Sequence, residues 1–162
     1  MTIKQIIDYN SVKRLEKRNV ILEGIINRNF HFLSVSSACS LLPERKISLL
    51  LETIEDINRL KEFLWKKNYL NLSKKYILSS DSSCKREVSR IVENLATDFS
   101  EKLDHAITAL LQNAEHDGTV IRWASAYALP RIVVIPQHAK GPLFEQISNL
   151  YGKEKEPGVK NQ

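Results

Sequence analysis

Apolar residues recur every three or four positions along nearly the whole chain, and stretches that alternate apolar with polar are scarce. That spacing is the period of a helix with one buried face. It predicts helices at about 3–9, 12–27, 34–42, 43–60, 60–77, 84–99, 101–114, 119–135 and 142–151. Within 12–27 the pattern rests on Val12, Leu15, Val20, Leu22 and Ile25. The helix at 43–60 opens on Pro43 and Glu44, a favourable pair for a first turn. The one strand candidate, Ile-Val-Val-Ile at 132–135, falls inside a helical pattern and reads as a helix end. The turns are short and chemically explicit. Ser-Ser-Asp-Ser-Ser at 79–83 offers side chains to cap free amides, and His-Asp-Gly-Thr at 116–119 joins a Gly stop to a Thr cap. Phe99-Ser100 leaves room only for a tight reversal. Short connections between helices imply antiparallel pairs. The fold class expected is all-α.

The stretch Gly118–Ile132, GTVIRWASAYALPRI, places the small residues Ala124, Ser125, Ala126 and Ala128 inside a helix. Such side chains bury little area but let helix backbones approach closely, so Ala124, Ala126 and Ala128 are expected at contacts between helices. The chain also repeats itself. Cys84-Lys85-Arg86 aligns with Ile121-Arg122-Trp123 and with Val159-Lys160-Asn161, at offsets of 37 and 38. Ahead of each triplet, Ile77, Ala114 and Tyr151 fall at equivalent positions, as do Ser73, Leu110 and Ile147. Each unit therefore reads as a helix, a short turn, a basic residue near the next helix start, and a second helix.

The stretch VIRWASAYALPRI resembles the second helix of a HEAT-like repeat, whose pattern is V-R-x-A-A-x-A-L-G-x-I. Val120 or Ile121 takes the leading aliphatic place and Arg122 the basic one, followed by Ala124, Ser125, Ala128, Leu129 and Ile132. Pro130 stands where Gly is common, which predicts a kink or an early helix end. CKREVSRIVENLA is a weaker copy carried by Val88, Ile91, Val92 and Leu95. The resemblance covers about 60–162 and reaches 1–59 only through general helical character. It implies one helical-repeat domain over 1–162: divergent helices at 1–59, then units at 60–99, 100–135 and 142–162, the last incomplete. The implied architecture is a short right-handed α-solenoid, in which stacked pairs share one core. Phe144, Ile147, Leu150 and Tyr151 would lack a partner helix in the last unit. The tail folding over them, a second chain covering them by self-association, or truncation would each account for this, and truncation is the expectation favoured.

Composition narrows the chemistry. At 43% apolar and 27% charged residues, the chain can build a core and is not disordered. The net charge of +5 is concentrated: Arg59 to Arg90 holds nine basic residues against Glu62, Asp81 and Glu87, a net +6, leaving −1 elsewhere. Cys39 and Cys84 are 45 positions apart, which is neither a disulfide framework nor a metal pair, and this points to a reduced, cytoplasmic setting. No uninterrupted apolar run approaches membrane-spanning length, and the N-terminus lacks a signal-like core, so no membrane association is expected. The five glycines never cluster into a phosphate loop, and neither His-Glu-x-x-His nor Cys-x-x-Cys occurs. No catalytic residue, metal ligand or cofactor is assigned. His116-Asp117 reads as a turn cap, and Glu52, Glu55 and Asp56 as an exposed acidic face. Cys84 opens a helix, where the dipole can lower a thiol pKa, but it occupies an aliphatic repeat position and reads as structural.

One functional signal remains. Lys66, Lys67, Lys74, Lys75, Lys85, Arg86 and Arg90 would line a ridge if neighbouring helices present them together, with Trp65, Tyr69 and Tyr76 interleaved. Arg122 and Trp123 join them as candidate binding residues, Arg122 belonging to a basic ladder with Lys85 and Lys160. The repeat resemblance implies a non-catalytic scaffold that holds another protein on its concave face. The alternative is nucleic-acid binding through the 66–90 stretch, since the chain is also similar in repeat shape to HEAT-like proteins that repair alkylated DNA. The Trp-x-x-x-Asp arrangement of that family is absent: Tyr69 follows Trp65 and Tyr127 follows Trp123 at that spacing.

Overall fold

Thr2 starts the first helix by a reciprocal cap. Its hydroxyl accepts the Gln5 N–H at 3.2 Å, while the Gln5 side chain accepts the Thr2 N–H at 2.8 Å. The computed structural model describes residues 1–60 and 65–162, so the part of the expected 60–77 helix at 61–64, with Glu62, lies outside the described residues. The helices are α1 (Ile3–Asp8), α2 (Arg14–Ile26), α3 (Phe32–Leu41), α4 (Glu44–Asn58), α5 (Lys66–Lys74), α6 (Ser82–Leu95), α7 (Asp104–Ala114), α8 (Thr119–Val133), α9 (Pro136–Ala139), α10 (Leu143–Lys153) and α11 (Pro157–Lys160), with a 3₁₀ turn at Ser100–Lys102. Among the described residues there is no strand, and no helix is long and apolar enough to cross a membrane.

Local chemistry accounts for most boundaries. Asp81 caps α6 by accepting the Cys84 N–H at 2.9 Å, as the Ser-Asp turn predicts. At the head of α8 the expectation needs correction: Gly118, not Thr119, is the capping residue, and its N–H is held at 2.9 Å by His116 Nδ1. α8 also runs through Pro130 to Val133 rather than stopping there. The ring lacks an N–H but lies in the last turn, where only a few residues remain to be distorted. α2 ends with Arg28 at φ 60°, and the chain folds back so that the Phe30 N–H donates to the Gly24 carbonyl at 2.8 Å. The Phe30 ring then covers Gly24 so closely that a Cβ there would lie 2.4 Å from a ring carbon. Only glycine fits.

The even-numbered helices pack one on the next, α2 on α4, α4 on α6 and α6 on α8, with the single turn of α11 following on α8. The odd-numbered helices lie against them: α1 on α2 and α3, α3 on α4 and α5, α5 on α6, and α7 on α8. Ile21, Ile25, Leu50, Leu51, Ile54, Ile57, Val88, Ile91, Val92, Leu95, Ala128 and Ile132 are buried between the two sets in one continuous core. Each buried aliphatic side chain contributes on the order of 2 kcal/mol of hydrophobic stabilisation.

Several polar tertiary contacts span close to 37 positions. Lys46 Nζ reaches Asp8 at 2.5 Å across 38 positions, and Arg14 reaches Glu52 at 2.9 Å across 38. The Tyr76 hydroxyl reaches the Cys39 carbonyl at 3.4 Å across 37, Asn113 the Ile77 carbonyl at 2.8 Å across 36, and Ser100 the Gln137 side chain at 2.8 Å across 37. The same step relates Ile47, Cys84, Ile121 and Val159, all buried near the starts of α4, α6, α8 and α11. The step therefore already relates the start of α4 to that of α6.

At the far end the tail does fold back, and Val159 is buried against α8. α11 is only four residues long against fifteen in α8. Beside it lies a pocket of about 130 Å³ lined by Ala126, Leu129, Pro130, Ile147, Leu150 and Tyr151, and Phe144 and Tyr151 remain exposed. Ala124 and Ala128 are fully buried, as expected of close helix contacts, whereas Ala126 borders this pocket. Ala128→Leu is accordingly expected to destabilise the fold by about 1–3 kcal/mol through overpacking. Ala126→Leu, entering open space, should change stability by less than about 0.5 kcal/mol. Urea denaturation of both variants checks the contrast; equal losses would place Ala126 in a closed interface.

Candidate functional site

The even-numbered helices share a solvent-facing side, and their sequence spacing defines it. On α2, steps of three and four residues align Leu15, Arg18, Leu22 and Ile26. On α8 the same steps align Val120, Trp123, Tyr127 and Arg131. Between them α4 presents Glu52, Asp56 and Arg59, and α6 presents Arg86, Arg90, Glu93 and Asn94.

Ion pairs cross this face from helix to helix. Arg18 of α2 pairs with Asp56 and, at 3.4 Å, with Glu52 of α4. Glu55 of α4 is buried, and its Oε1 accepts Arg59 at 2.6 Å, Asn94 at 3.1 Å and Arg90 at 3.3 Å, the last two from α6. Glu87 is also buried and holds Arg86 at 2.7 Å and Arg90 at 3.5 Å. Buried carboxylates are tolerated because each has more than one charged donor. The expected acidic face at Glu52, Glu55 and Asp56 is thus corrected: Glu55 is inside, and all three carboxylates are engaged by arginines.

At the α8 end a column of flat groups stands on one side of the helix. The Trp123 and Tyr127 rings stack at 5.5 Å with an interplanar angle of 20°, and the Arg131 guanidinium lies 3.8 Å from the Tyr127 centroid. Arg131 also donates to the Tyr127 carbonyl at 2.6 Å and approaches Glu93 at 3.9 Å. Burial pushes the Glu93 carboxyl above its ordinary range, with the nearby Arg131, Arg59 and Arg90 opposing that shift.

The nine residues singled out from sequence do not form one ridge. Lys66, Lys67 and Lys74 are on α5, in the other set of helices, and Lys75 caps its C-terminal end. Lys66 pairs with Asp98 at 3.1 Å, Lys74 donates to the Lys102 carbonyl at 2.8 Å, and Lys67 lowers the pKa of Lys102 by crowding it. Lys75 is exposed, while Lys85 is buried in α6. Arg86 and Arg90 reach the shared face already engaged by Glu87 and Glu55. Arg122 is a clasp: it binds Glu154 at 2.8 Å and donates to the carbonyls of His116 at 3.0 Å and Asp117 at 2.9 Å. It ties the turn before α8 to the end of α10. Trp123 alone stands within the aromatic column. Sequence reasoning did not single out Arg59, Glu93, Tyr127 and Arg131, although Tyr127 and Arg131 follow Trp123 at four and eight positions and the stripe was there to be found.

Among the described residues no cluster of His, Cys, Asp and Glu is arranged to hold a metal ion. Neither cysteine is activated. Burial raises both thiols to about 12, against any effect of the helix start at Cys84, whose Sγ donates to the Glu44 carbonyl at 3.3 Å. Comparison with protein-family models, with curated proteins and with solved structures finds no significant match.

Two outcomes are expected. Ellman's reagent should find no reactive thiol in the native protein at pH 8 and two after unfolding; a fast native reaction would mean that Cys39 or Cys84 is open to solvent. The second concerns acid. Arg122 and the neighbouring N–H groups hold Glu154 down to about 2, and Lys4 and Lys46 do the same for Asp8. Both folded values lie below their unfolded ones, so this stabilisation is complete above pH of about 4.5 and is lost as pH falls toward 2. Urea midpoints between pH 6 and pH 2.5 should fall less steeply in Glu154→Gln than in the parent; parallel curves would show that the clasp does not couple to folding.

Proposed function

We propose that this chain is a non-catalytic scaffold: a short right-handed α-solenoid of HEAT-like helical pairs whose concave side, the shared face of α2, α4, α6 and α8, holds a segment of another protein. One observation carries the reading. That face mixes charge of both signs with apolar ground at each end, where Leu15 and Ile26 on α2 and Val120 and Val134 at α8 are exposed. Exposed aliphatic and aromatic anchors bordered by fixed polar groups suit protein recognition. A polyphosphate would instead be favoured by lysines converging on one surface, and here three lie on α5, one caps its end and one is buried in α6. The aromatic column beside Glu93 gives the face a second point of recognition without supplying a nucleophile or an activated base.

The test uses a photo-crosslinking amino acid placed at Tyr127, with a control at Lys75 on the opposite set of helices. Specific protein adducts from position 127 but not from 75 are the expected result. In parallel, fluorescence anisotropy with labelled duplex and single-stranded DNA at two salt concentrations should show only weak binding. Tight, salt-sensitive binding that disappears when Lys74, Lys75, Lys85 and Arg86 become Ala would overturn the scaffold reading in favour of nucleic acid.

A further inference from the structure

We infer that the segment held on the shared face is an acidic peptide with apolar anchors, recognised by a row of arginines on α4, α6 and α8. This rests on the scaffold reading and names the chemistry of its partner. The decisive point is depth. The carboxylates of Glu55 and Glu87 are only 2–3% exposed, whereas the side chains of Arg59, Arg86, Arg90 and Arg131 are 29–52% exposed. The acids lie underneath and the guanidinium groups lie on top. An approaching chain therefore meets Arg59, Arg86 and Arg90 oriented from below by buried acids, and Arg131 held by the Tyr127 carbonyl and ring, although the residue count suggests near neutrality.

Each guanidinium has five N–H donors in a rigid fork, and the buried acids engage only part of that set. Arg86 meets Glu87 through Nε and Nη2, and Arg59 meets Glu55 through Nε and Nη2. The outward donors suit carboxylates, which a planar fork binds in pairs. Because the arginines are already held, binding costs little further side-chain ordering. Flanking the row, Trp123 and Tyr127 stack in place, and Val120, Val134, Leu15 and Ile26 offer exposed apolar ground. A nucleic-acid backbone has nothing to match those aliphatic positions. An acidic peptide can place its carboxylates over the arginines and its apolar side chains at the two ends.

The experiment titrates the full chain into three fluorescein-labelled probes: a short Glu/Leu peptide, the same peptide with Lys for Glu, and a single-stranded DNA of similar length. The Glu/Leu peptide should bind and the Lys/Leu peptide should not. The double variant Arg59→Gln/Arg131→Gln should weaken Glu/Leu binding at least about tenfold, the loss expected for charge-assisted hydrogen bonds. Lys67→Gln/Lys75→Gln, with equal loss of charge on the other set of helices, should change it less than about twofold. Glu55 retains Arg90 and Asn94 in the arginine variant, and circular dichroism verifies that it is folded. Equal weakening by both double variants would reduce the effect to net charge and overturn the inference. So would a preference for the Lys/Leu peptide, or DNA bound as tightly through the same arginines. Failure of both peptides to bind overturns this inference alone, because crosslinking from position 127 judges the scaffold reading independently.

Discussion

The structure depends on how closely α4, α6 and α8 approach one another. A lone helix pair exposes apolar surface on both flanks, so each of the middle helices must be covered by its neighbours on either side. Ala124, Ser125 and Ala128 on α8, and Cys84 and Ser89 on α6, are buried side chains small enough to allow that approach. Once the helices are this close, polar groups caught between them need partners. Between α4 and α6, for example, Asn94 donates to Glu55 at 3.1 Å.

This constraint also shapes the shared face. Glu55 and Glu87 lie where one helix meets the next, and burying them is tolerable only with arginines from the same or the adjoining helix. A requirement of packing therefore leaves ordered guanidinium groups at the surface. Arg122, by contrast, spends its donors on Glu154 and on the carbonyls of a turn, and it ties the turn before α8 to the end of α10.

Helicity was legible because it is written in local periodicity, and the Asp81 cap because a single short-range bond decides it. The stride of 37 was legible wherever small and aliphatic residues recur in register, from Ser73 onward. It was less visible before that point: Ile47 is one aliphatic residue among many in its segment and became meaningful only beside Cys84 and Ile121. The candidate site was read poorly for a different reason. A run of lysines and arginines is contiguous in sequence, but the chain turns at Ser79–Asp81 and sends its two halves to different sets of helices. Partners such as Glu55 for Arg90 lie 35 positions apart, and no local pattern announces them. Pro130 taught a smaller lesson, since a residue that breaks a helix interior is harmless one turn from its end.

The short α11 covers only part of the flank of α8. Its one buried side chain is Val159, worth roughly 2 kcal/mol of burial, and beyond that the tail is held chiefly by the Arg122–Glu154 clasp. The middle helices are sealed on both flanks by many such side chains. Fraying at α11 therefore costs less than opening the middle helices, and it uncovers the flank of α8 while they stay closed.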